Sequence, residues 1–472
     1  MDSPRTKTYR PWNPDVYCLQ AHAPLAKLPE GDLVFFLLDL VPQLDLRRFY
    51  AYYEDEARGA PPFDPAEMVC LLLYGYAVGV YSSRKLACAC ERNLAFLAIV
   101  GEDRPDFRTI SDFRKIHLDA FQDVFVEVLR LAGTLGMIRL GNLATDGSKF
   151  PGNASRHKAM SYGYMLKEEE RLQQEIAALL QEAHAQDDAD DAVLGSRRGD
   201  ELPEELQRRE QRLATIRAGK QRLEDQAQAA AAEERQRREQ AEADRQAKGQ
   251  KRRGKEPQPV SEVPEDKAQT SFTDPELKVM KQNNKGWEYS ANAQAVVDDR
   301  FQIIVATAVT AAPNDKQQAV PMAVAAKANL EAAGVAWPQD ETGQPAKVPN
   351  TLDSGYYSAA AAQGLEECGF DPLMATERQK HHEAAPAAGK EANARAHMRA
   401  KVQSVRGQAL YSRRKVIVEP VFGQIKGARG FRRWLLRGLR KIGGEWRLVC
   451  LTHNLLKIWR YGNAPIGING VG

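Results

Sequence analysis

Cysteine is scarce in this chain, and long hydrophobic runs are missing. The six cysteines are scattered over 472 residues, and the pair Cys88 and Cys90 has no second pair at zinc spacing, which disfavours a zinc site. No signal peptide precedes them, so free thiols in a reducing cytoplasm are expected. The longest apolar run, Met68 to Val80, is interrupted by Tyr and Gly and is too short to span a bilayer. The sequence therefore predicts a cytoplasmic protein without a membrane partner.

The chain also has little net charge, but its charges are unevenly distributed. The formal balance is +3, from 66 basic and 63 acidic residues. Residues 401–460 contain 15 Lys and Arg but only two acidic residues, Glu419 and Glu445. Such a local excess is typical of a nucleic-acid-binding surface. A solvated basic face or a membrane-facing patch is the alternative.

Two phosphate-binding signatures are missing as well. Neither G-x-x-x-x-G-K-[ST] nor G-x-G-x-x-G follows a predicted strand, which disfavours kinase-like and dinucleotide-dependent enzymes. The length is sufficient for two or three domains with a real core.

Residues 1–135 are predicted to form a helical N-terminal domain. One helix begins near Pro65, where apolar residues recur on one face, a second follows Ser82-Ser83, and a third begins near Thr109. Basic residues on these helices, among them Arg84 and Lys85, make a DNA-contacting helix-turn-helix possible. A small bundle that packs on the main domain or dimerises is equally compatible with the pattern.

Residues 165–270 form an insert that is rich in Glu, Arg, Gln and Ala. Apolar residues recur at heptad spacings in two runs, which predicts an antiparallel coiled hairpin of two helices joined by a turn at 187–200. The tail, 235–259, is predicted to be disordered. A solvated spacer is the favoured role, and oligomerisation or DNA contact are alternatives. The heptad positions are Met165, Leu172, Leu179, Leu206, Leu213, Ile216 and Leu223.

The remaining residues predict a mixed sheet. A strand over 141–146 feeds a turn at Gly147, and after the insert a hairpin of strands is expected over 287–297 and 301–309. The segments that follow are a helix over 314–330, strands over 348–353 and 372–375 with a helix between them, a polar connector over 379–407, and two helices. This order predicts an α/β fold whose sheet is flanked by helices, with the core in residues 136–164 and 271–460 and a tail at 461–472.

Three acidic residues stand out in this arrangement. Asp146 and Asp353 end strand-like runs, and Glu419 lies on a basic helix with Lys415 and Lys426 on its face. Three carboxylates can hold two Mg²⁺ ions, for which Mn²⁺ substitutes, and such ions promote phosphodiester chemistry. Each residue alone is also compatible with a turn former, a cap or a surface ion pair. Their coincidence indicates an enzyme that cuts and joins DNA.

Five segments of the chain resemble the DDE transposases of bacterial insertion sequences, whose core is ribonuclease-H-like. The segments are ATDGSKF at 144–150, YSANAQAVVDD at 289–299, TLDSGYYS at 351–358, YSRRKVIVEPVFGQIKGARGFRRWLLRG at 411–438 and, in the N-terminal region, FDPAEMVCLLLYGYAVGVYSSRKLACACERN at 63–93. The resemblance implies that Asp146, Asp353 and Glu419 are the metal-binding, catalytic triad. It also implies double-stranded DNA as partner, a homodimer in a synaptic complex, and a nucleoid-associated location.

The family signature around the glutamate is Tyr-x2-Arg-x3-Glu-x6-Lys, and this chain departs from it. Lys426 fits the last position, whereas Tyr411 and Arg414 lie one residue early, which is a rotation of about 100° on a helix. The resemblance assigns contacts with terminal phosphates to such residues. For Trp434, stacking on a displaced base competes with core packing, which is favoured. The complete set of expected DNA contacts is Arg84, Lys85, Tyr411, Arg414, Lys415, Lys426, Arg429, Arg432, Arg433 and Trp434.

Two alternatives stay open. One is a related metal-dependent nuclease that hydrolyses DNA without strand transfer. The other is a DNA-binding or assembly protein whose catalytic site has decayed.

Overall fold

A computed structural model describes residues 11–12, 23–54, 60–154, 159–194, 204–247, 259–282, 286–376 and 390–462. Contacts within the chain define two compact units. Residues 1–152 and 290–472 form the first unit, and residues 153–289 form the second. Among the described residues, every helix is too short or too polar to cross a membrane.

Helices make up most of the described chain. In chain order they are α1 Leu33–Leu40, α2 Arg47–Glu54, α3 Pro65–Ala77, α4 Ser83–Arg92, α5 Leu94–Val100, α6 Phe107–Ile116, α7 Phe121–Thr134, α8 Tyr162–Leu194, α9 Glu204–Ala247, α10 Ala319–Ala332, α11 Ala359–Glu367, α12 Lys390–Gln403, α13 Val405–Ser412, α14 Arg414–Gly423 and α15 Leu439–Tyr461. The strands are β1 Leu143–Pro151, β2 Ala159–Ser161, β3 Gln269–Ser271, β4 Lys278–Lys281, β5 Trp287–Asp298, β6 Ile304–Thr310, β7 Val348–Leu352 and β8 Phe370–Met374.

The main sheet is mixed, as the sequence predicts. Its order is β4-β5-β1-β7-β8, with β6 also pairing with β5. The pairs β1–β5 and β5–β6 are antiparallel, whereas β1–β7 and β7–β8 are parallel. Antiparallel strands followed by parallel crossover strands, with helices alongside, form a ribonuclease-H-like core. The predicted hairpin of strands after the insert is confirmed.

Helix α15 is the central helix of the first unit. Most of its residues are buried. Its Asn454 makes two hydrogen bonds with the first residue of β6: Ile304 N donates to Asn454 Oδ1, and Asn454 Nδ2 donates to Ile304 O, each at 2.8 Å. Trp446 joins an aromatic cluster with Phe150 and Trp434, and the ring centroids of Trp446 and Trp434 lie 5.5 and 5.2 Å from that of Phe150. The helix therefore anchors the sheet from one face.

The N-terminal helices belong to the same unit and pack on the segment before α15. Helix α3 begins at Pro65, as predicted, with Asp64 accepting the amide of Ala66 at 2.8 Å. Tyr81, which follows α3, contacts Arg429: its Oη donates to Arg429 O at 2.9 Å. The guanidinium of Arg429 donates to Tyr76 O at 2.9 Å and to Val449 O at 2.9 Å. A cation inside this junction ties α3 to α15.

The second unit contains a helical pair and a small sheet. Helices α8 and α9 share one apolar cluster that contains Tyr162 and five of the heptad residues predicted for the insert, and β2 pairs with β3. Ion pairs accompany the cluster, including Arg217 Nε to Glu169 Oε1 at 2.8 Å and Lys220 Nζ to Glu169 Oε2 at 2.6 Å. The five heptad residues are Met165, Leu172, Leu213, Ile216 and Leu223.

Four local predictions need correction. Helix α8 continues to Leu194, into the predicted turn, and α9 continues to Ala247, into the predicted disordered tail, because Ala, Glu, Gln and Arg are strong helix formers. The polar connector contains α12 and α13 for the same reason. The third N-terminal helix begins at Phe107, with Asp106 as its cap, rather than near Thr109. The parts of these predictions at 195–200, 248–258 and 379–389 lie outside the described residues, as does 463–472 of the predicted tail.

Candidate active site

Asp146 and Asp353 lie side by side on neighbouring strands. The parallel ladder of β1 and β7 ends with Thr145 opposite Leu352, so the two aspartates are the next residues along each strand. Gly147 N donates to Asp146 Oδ1 at 2.8 Å. Two carboxylates at the end of a parallel ladder are placed where open α/β sheets bind ligands.

The strand of Asp146 does not stop there, which corrects the predicted turn at Gly147. Strand β1 continues to Pro151, paired antiparallel with β5 as far as Ser290. Asp146 therefore lies in the middle of β1, at the position where the parallel strand β7 ends and the antiparallel strand β5 continues. This position holds the carboxylate on a rigid element instead of a loop.

Arg414 forms an ion pair with Asp146 at the start of α14. Its Nη1 donates to Asp146 Oδ2 at 3.0 Å. Burial raises the pKa of Asp146 to about 6, the charge of Asp353 adds to the rise, and Arg414 and the Gly147 amide oppose it. The positive charge of Arg414 therefore only partly offsets the effects of burial and of the Asp353 charge on the Asp146 carboxylate.

Tyr411 and Arg414 act on the same pair of aspartates. Burial raises the pKa of Tyr411, Arg414 opposes the rise, and the charge of Asp353 adds to it. Tyr411 lies near the end of α13, and Arg414 follows across the junction with α14. Arg414 lies one residue earlier than the arginine of the family signature, and from this position it binds Asp146, the first aspartate of the predicted triad.

Glu419 is not gathered into the aspartate pair. It follows Arg414 by five residues in α14, and its side chain is exposed. Across the described residues, no three or more His, Cys, Asp or Glu side chains form a group that could hold a metal ion. The structure therefore places two members of the predicted triad at adjacent positions and the third, with an exposed side chain, on helix α14.

Helix α14 contains a proline directly after Glu419. Pro420 has no N–H, so the carbonyl of Val416 lacks its helical donor. The side chain of Gln302 supplies a substitute, because Gln302 Nε2 donates to Val416 O at 3.0 Å. A π-helical turn, Gln424–Ala428, continues the helix. Glu419 thus lies where the regular helix is weakest.

Lys426, on the π-helical turn, points back to β1. Its Nζ donates to Ser148 Oγ at 2.6 Å and to Lys149 O at 3.3 Å, and it lies 4.3 Å from the ring centroid of Phe150. Burial lowers its pKa. Ser148 lies two residues after Asp146, so Lys426 binds the same face of β1 that carries Asp146.

The predicted DNA-contacting residues divide by exposure. Arg84, Lys85, Lys415, Arg432 and Arg433 are exposed. Arg429 is buried and hydrogen-bonded, as described above, so its guanidinium serves packing in this structure rather than a DNA surface. Trp434 is fully buried, which agrees with the favoured core-packing interpretation.

One carboxylate at this site was missed from the sequence. Asp315, in the loop between β6 and α10, accepts Asn292 Nδ2 and Gln294 Nε2 on one oxygen, each at 2.7 Å. Asn292 and Gln294 alternate with alanines in buried β5. Buried side-chain amides need hydrogen-bond partners. The alternation of Asn292 and Gln294 with alanines could therefore have predicted that a polar side chain from elsewhere in the chain covers β5.

The donor set of the aspartate pair suits Mg²⁺. Asp146 and Asp353 offer only carboxylate oxygens, the ligand type that Mg²⁺ prefers, and Mg²⁺ takes few protein ligands. The raised pKa of Asp146 indicates negative charge that a cation would stabilise. The two residues therefore fit such an ion, and Glu419 would have to approach to complete the triad.

Comparison with known families gives two matches. Residues 23–116 match a family described as Transposase domain (DUF772). Residues 343–459 match a family described as Transposase DDE domain, a range that includes Asp353, Arg414 and Glu419. Searches of curated proteins and of solved structures found no match.

Proposed function

We propose that the chain is a DDE transposase of the insertion-sequence type, which its matches to two transposase domain families support. On that premise it binds the terminal inverted repeats of its own element, cleaves their ends and joins them to target DNA. The observation that carries the proposal is the adjacent placement of Asp146 and Asp353 at the end of the β1–β7 ladder, with Arg414 bonded to Asp146 and Lys426 bonded to Ser148 on the same face of β1. Carboxylates and cations on one cleft suit a phosphodiester and its metal ions.

Asp146, Asp353 and Glu419 would hold the divalent ions. Two Mg²⁺ ions, or Mn²⁺ in their place, activate a water or a 3′ hydroxyl and stabilise the leaving oxygen of the phosphodiester when bound. Hydrolysis frees the 3′ end, and the same in-line geometry then serves the attack of that end on target DNA. Joining two ends to one target requires two active sites, so a homodimer is the proposed synaptic form.

The basic residues would position the DNA. Arg414, which pairs with Asp146, and Lys426, which binds Ser148 on the same face of β1, are proposed to contact the phosphates of the terminal nucleotides. Arg84, Lys85, Lys415, Arg432 and Arg433 are exposed and suit contacts with the flanking duplex. Phosphate contacts fix the register of DNA on a protein without reading its sequence.

The test is cleavage of labelled end-bearing DNA in Mg²⁺ by the wild type, Asp353→Asn and Glu419→Gln. Both variants are expected to lose strand cleavage and to retain end binding, because each removes a metal-binding charge and leaves the basic residues intact. Equal cleavage by all three proteins would refute the proposal. Hydrolysed ends without strand-transfer product on a target plasmid would identify the nuclease alternative, and DNA binding without any cleavage would identify the decayed one.

A further inference from the structure

We propose that Asp315 is a positioning residue of the candidate active site. Through Gln294 and Tyr356, it fixes the turn that carries Asp353 against Asp146. The inference rests on the proposed function for its metal-binding consequence, but its structural part can be tested separately.

The first step is the contact between Asp315 and β5. One oxygen of Asp315 accepts two amide donors, Asn292 Nδ2 and Gln294 Nε2, both at 2.7 Å. Asn292 is 1% exposed and Gln294 is fully buried. Bonds to an ionised acceptor are shorter and stronger than neutral ones, so the carboxylate holds both amides in one orientation.

The second step runs from Gln294 to the aspartate turn. With its Nε2 committed to Asp315, Gln294 presents Oε1 to Tyr356, whose hydroxyl donates to it. Tyr356 is fully buried, and its amide donates to Asp353 O at 3.3 Å. The turn is closed further by Gly355 N, which donates to Asp353 Oδ1 at 2.7 Å.

The third step is the close approach that two glycines allow. A Cβ at Gly147, next to Asp146, would lie 2.2 Å from Gln294 Nε2 and 2.8 Å from Asp315 Oδ1. A Cβ at Gly355 would lie 3.0 Å from Asp353 Oδ1 and 3.8 Å from Asp315 Oδ2. Asp315 therefore lies against the residues that follow both aspartates.

The electrostatics agree with this geometry. After burial, the charges of Asp315, Asp146 and Asp353 all raise the pKa of Tyr356 well above its usual value. The hydroxyl of Tyr356 thus donates to Gln294, and the amide of the same residue donates to Asp353 O.

The variants for the test are Asp315→Ala, Asp315→Asn and Tyr356→Phe. Asn keeps an oxygen that accepts both amides, whereas Ala removes the acceptor and Phe removes the link to Gln294. The matched control is Glu341→Gln, an exposed acidic residue in the loop before β7. Thermal melts establish that each variant folds. If Asp315→Ala does not fold, Tyr356→Phe provides the test in its place.

Hydrogen–deuterium exchange of the peptide covering residues 353–358 gives the structural readout. Faster exchange is expected in Asp315→Ala and Tyr356→Phe, and wild-type exchange in Asp315→Asn and the control. Exchange in both Asp315→Ala and Tyr356→Phe that equals wild type would overturn the inference, whatever the protein does with DNA.

Calorimetric titration with Mn²⁺ gives the functional readout. Loss of a supporting residue behind metal ligands typically weakens metal binding about tenfold or more, so Asp315→Ala should show a loss of about tenfold that Asn rescues. Unchanged Mn²⁺ affinity in Asp315→Ala, with wild-type protein binding normally, would also overturn it. Wild-type protein that binds no Mn²⁺ and cleaves no DNA, but shows the exchange pattern, would refute the proposed function and leave the positioning role standing.

Discussion

Arg414 Nη1 lies 3.0 Å from Asp146 Oδ2, so a guanidinium occupies one oxygen of the first aspartate of the proposed triad in the DNA-free chain. A cation at this place competes with a divalent ion for the carboxylate. A DNA phosphate offers Arg414 another partner. We therefore predict that this pair links DNA binding to metal binding.

The first prediction concerns this pair. Arg414→Gln should bind Mn²⁺ about tenfold more tightly than wild type without DNA, or about 1.4 kcal/mol, because a nearby positive charge is gone. Calorimetric titration measures the change. Arg413→Gln is the matched control, since it removes the neighbouring charge, whose partner is Asp299 at 2.9 Å. Equal affinities in the two variants would contradict the prediction.

The second prediction concerns space beside Asp146. Gly147→Ala should lower the free energy of unfolding by about 1–3 kcal/mol, because the new methyl would overlap side chains that are held by Asp315. Denaturant unfolding measures the loss. Gly423→Ala is the comparison, since nothing lies within 4 Å of a Cβ there and alanine favours the helix. A stable Gly147→Ala protein would show that the Gln294 amide moves freely.

The third prediction concerns pH. Burial raises the pKa of Glu445 from 4.5 to about 7, with Arg114 and the amides of Leu435 and Leu436 opposing the rise. The folded state therefore holds a proton that the unfolded state releases at lower pH. This contribution is fully present below about pH 4.5 and is lost as the pH rises to about 7.

Glu445→Gln isolates this contribution. Relative to the variant, the wild type should lose up to about 1.4 kcal/mol of unfolding free energy per pH unit between pH 5 and 7, and the difference should level off above that. Urea unfolding at pH 5, 6, 7 and 8 provides the measurement. A difference that does not vary with pH would show that the buried carboxyl keeps its ordinary pKa.

The fourth prediction separates exposed from buried cations. Lys85→Gln or Arg432→Gln should weaken binding of end DNA and reduce the slope of log affinity against log salt by about 0.9 for each phosphate that the variant no longer neutralises. Arg429→Gln should leave that slope unchanged and cost about 3 kcal/mol or more of stability, since its buried partners Val449, Tyr76 and Thr452 lose their donor. Filter binding across a salt series and thermal melts test both statements. A lower slope in Arg429→Gln would contradict the assignment of its side chain to packing.

Local patterns predicted the strands and the N-terminal helix well. The hairpin of β5 and β6 followed from β-rich runs beside a polar turn, and α3 from apolar residues after a capping aspartate and a proline. Asp146 and Asp353 were predicted to share a metal site because each follows a strand-like apolar run, and the β1–β7 ladder places them at adjacent positions. These features depend on neighbours in sequence.

The features that the sequence did not reveal depend on distant partners. Asp315 falls in the segment that was predicted as a helix over 314–330, but α10 begins at Ala319, and only the contact with Gln294 shows that Asp315 covers β5. Arg429 belongs to a basic run, and only the carbonyls of Tyr76 and Val449 show that it is internal. The place of Glu419 depends on how α14 packs on β1, which no periodicity specifies.

The second unit leaves and rejoins the sheet at facing positions. Pro151 is paired with Ser290, so the strands on either side of residues 153–289 are direct antiparallel neighbours. In topological terms the whole unit replaces the tip of a single hairpin. Changes in its length therefore fall outside the paired register of β1 and β5, which runs from Leu143–Asp298 to Pro151–Ser290.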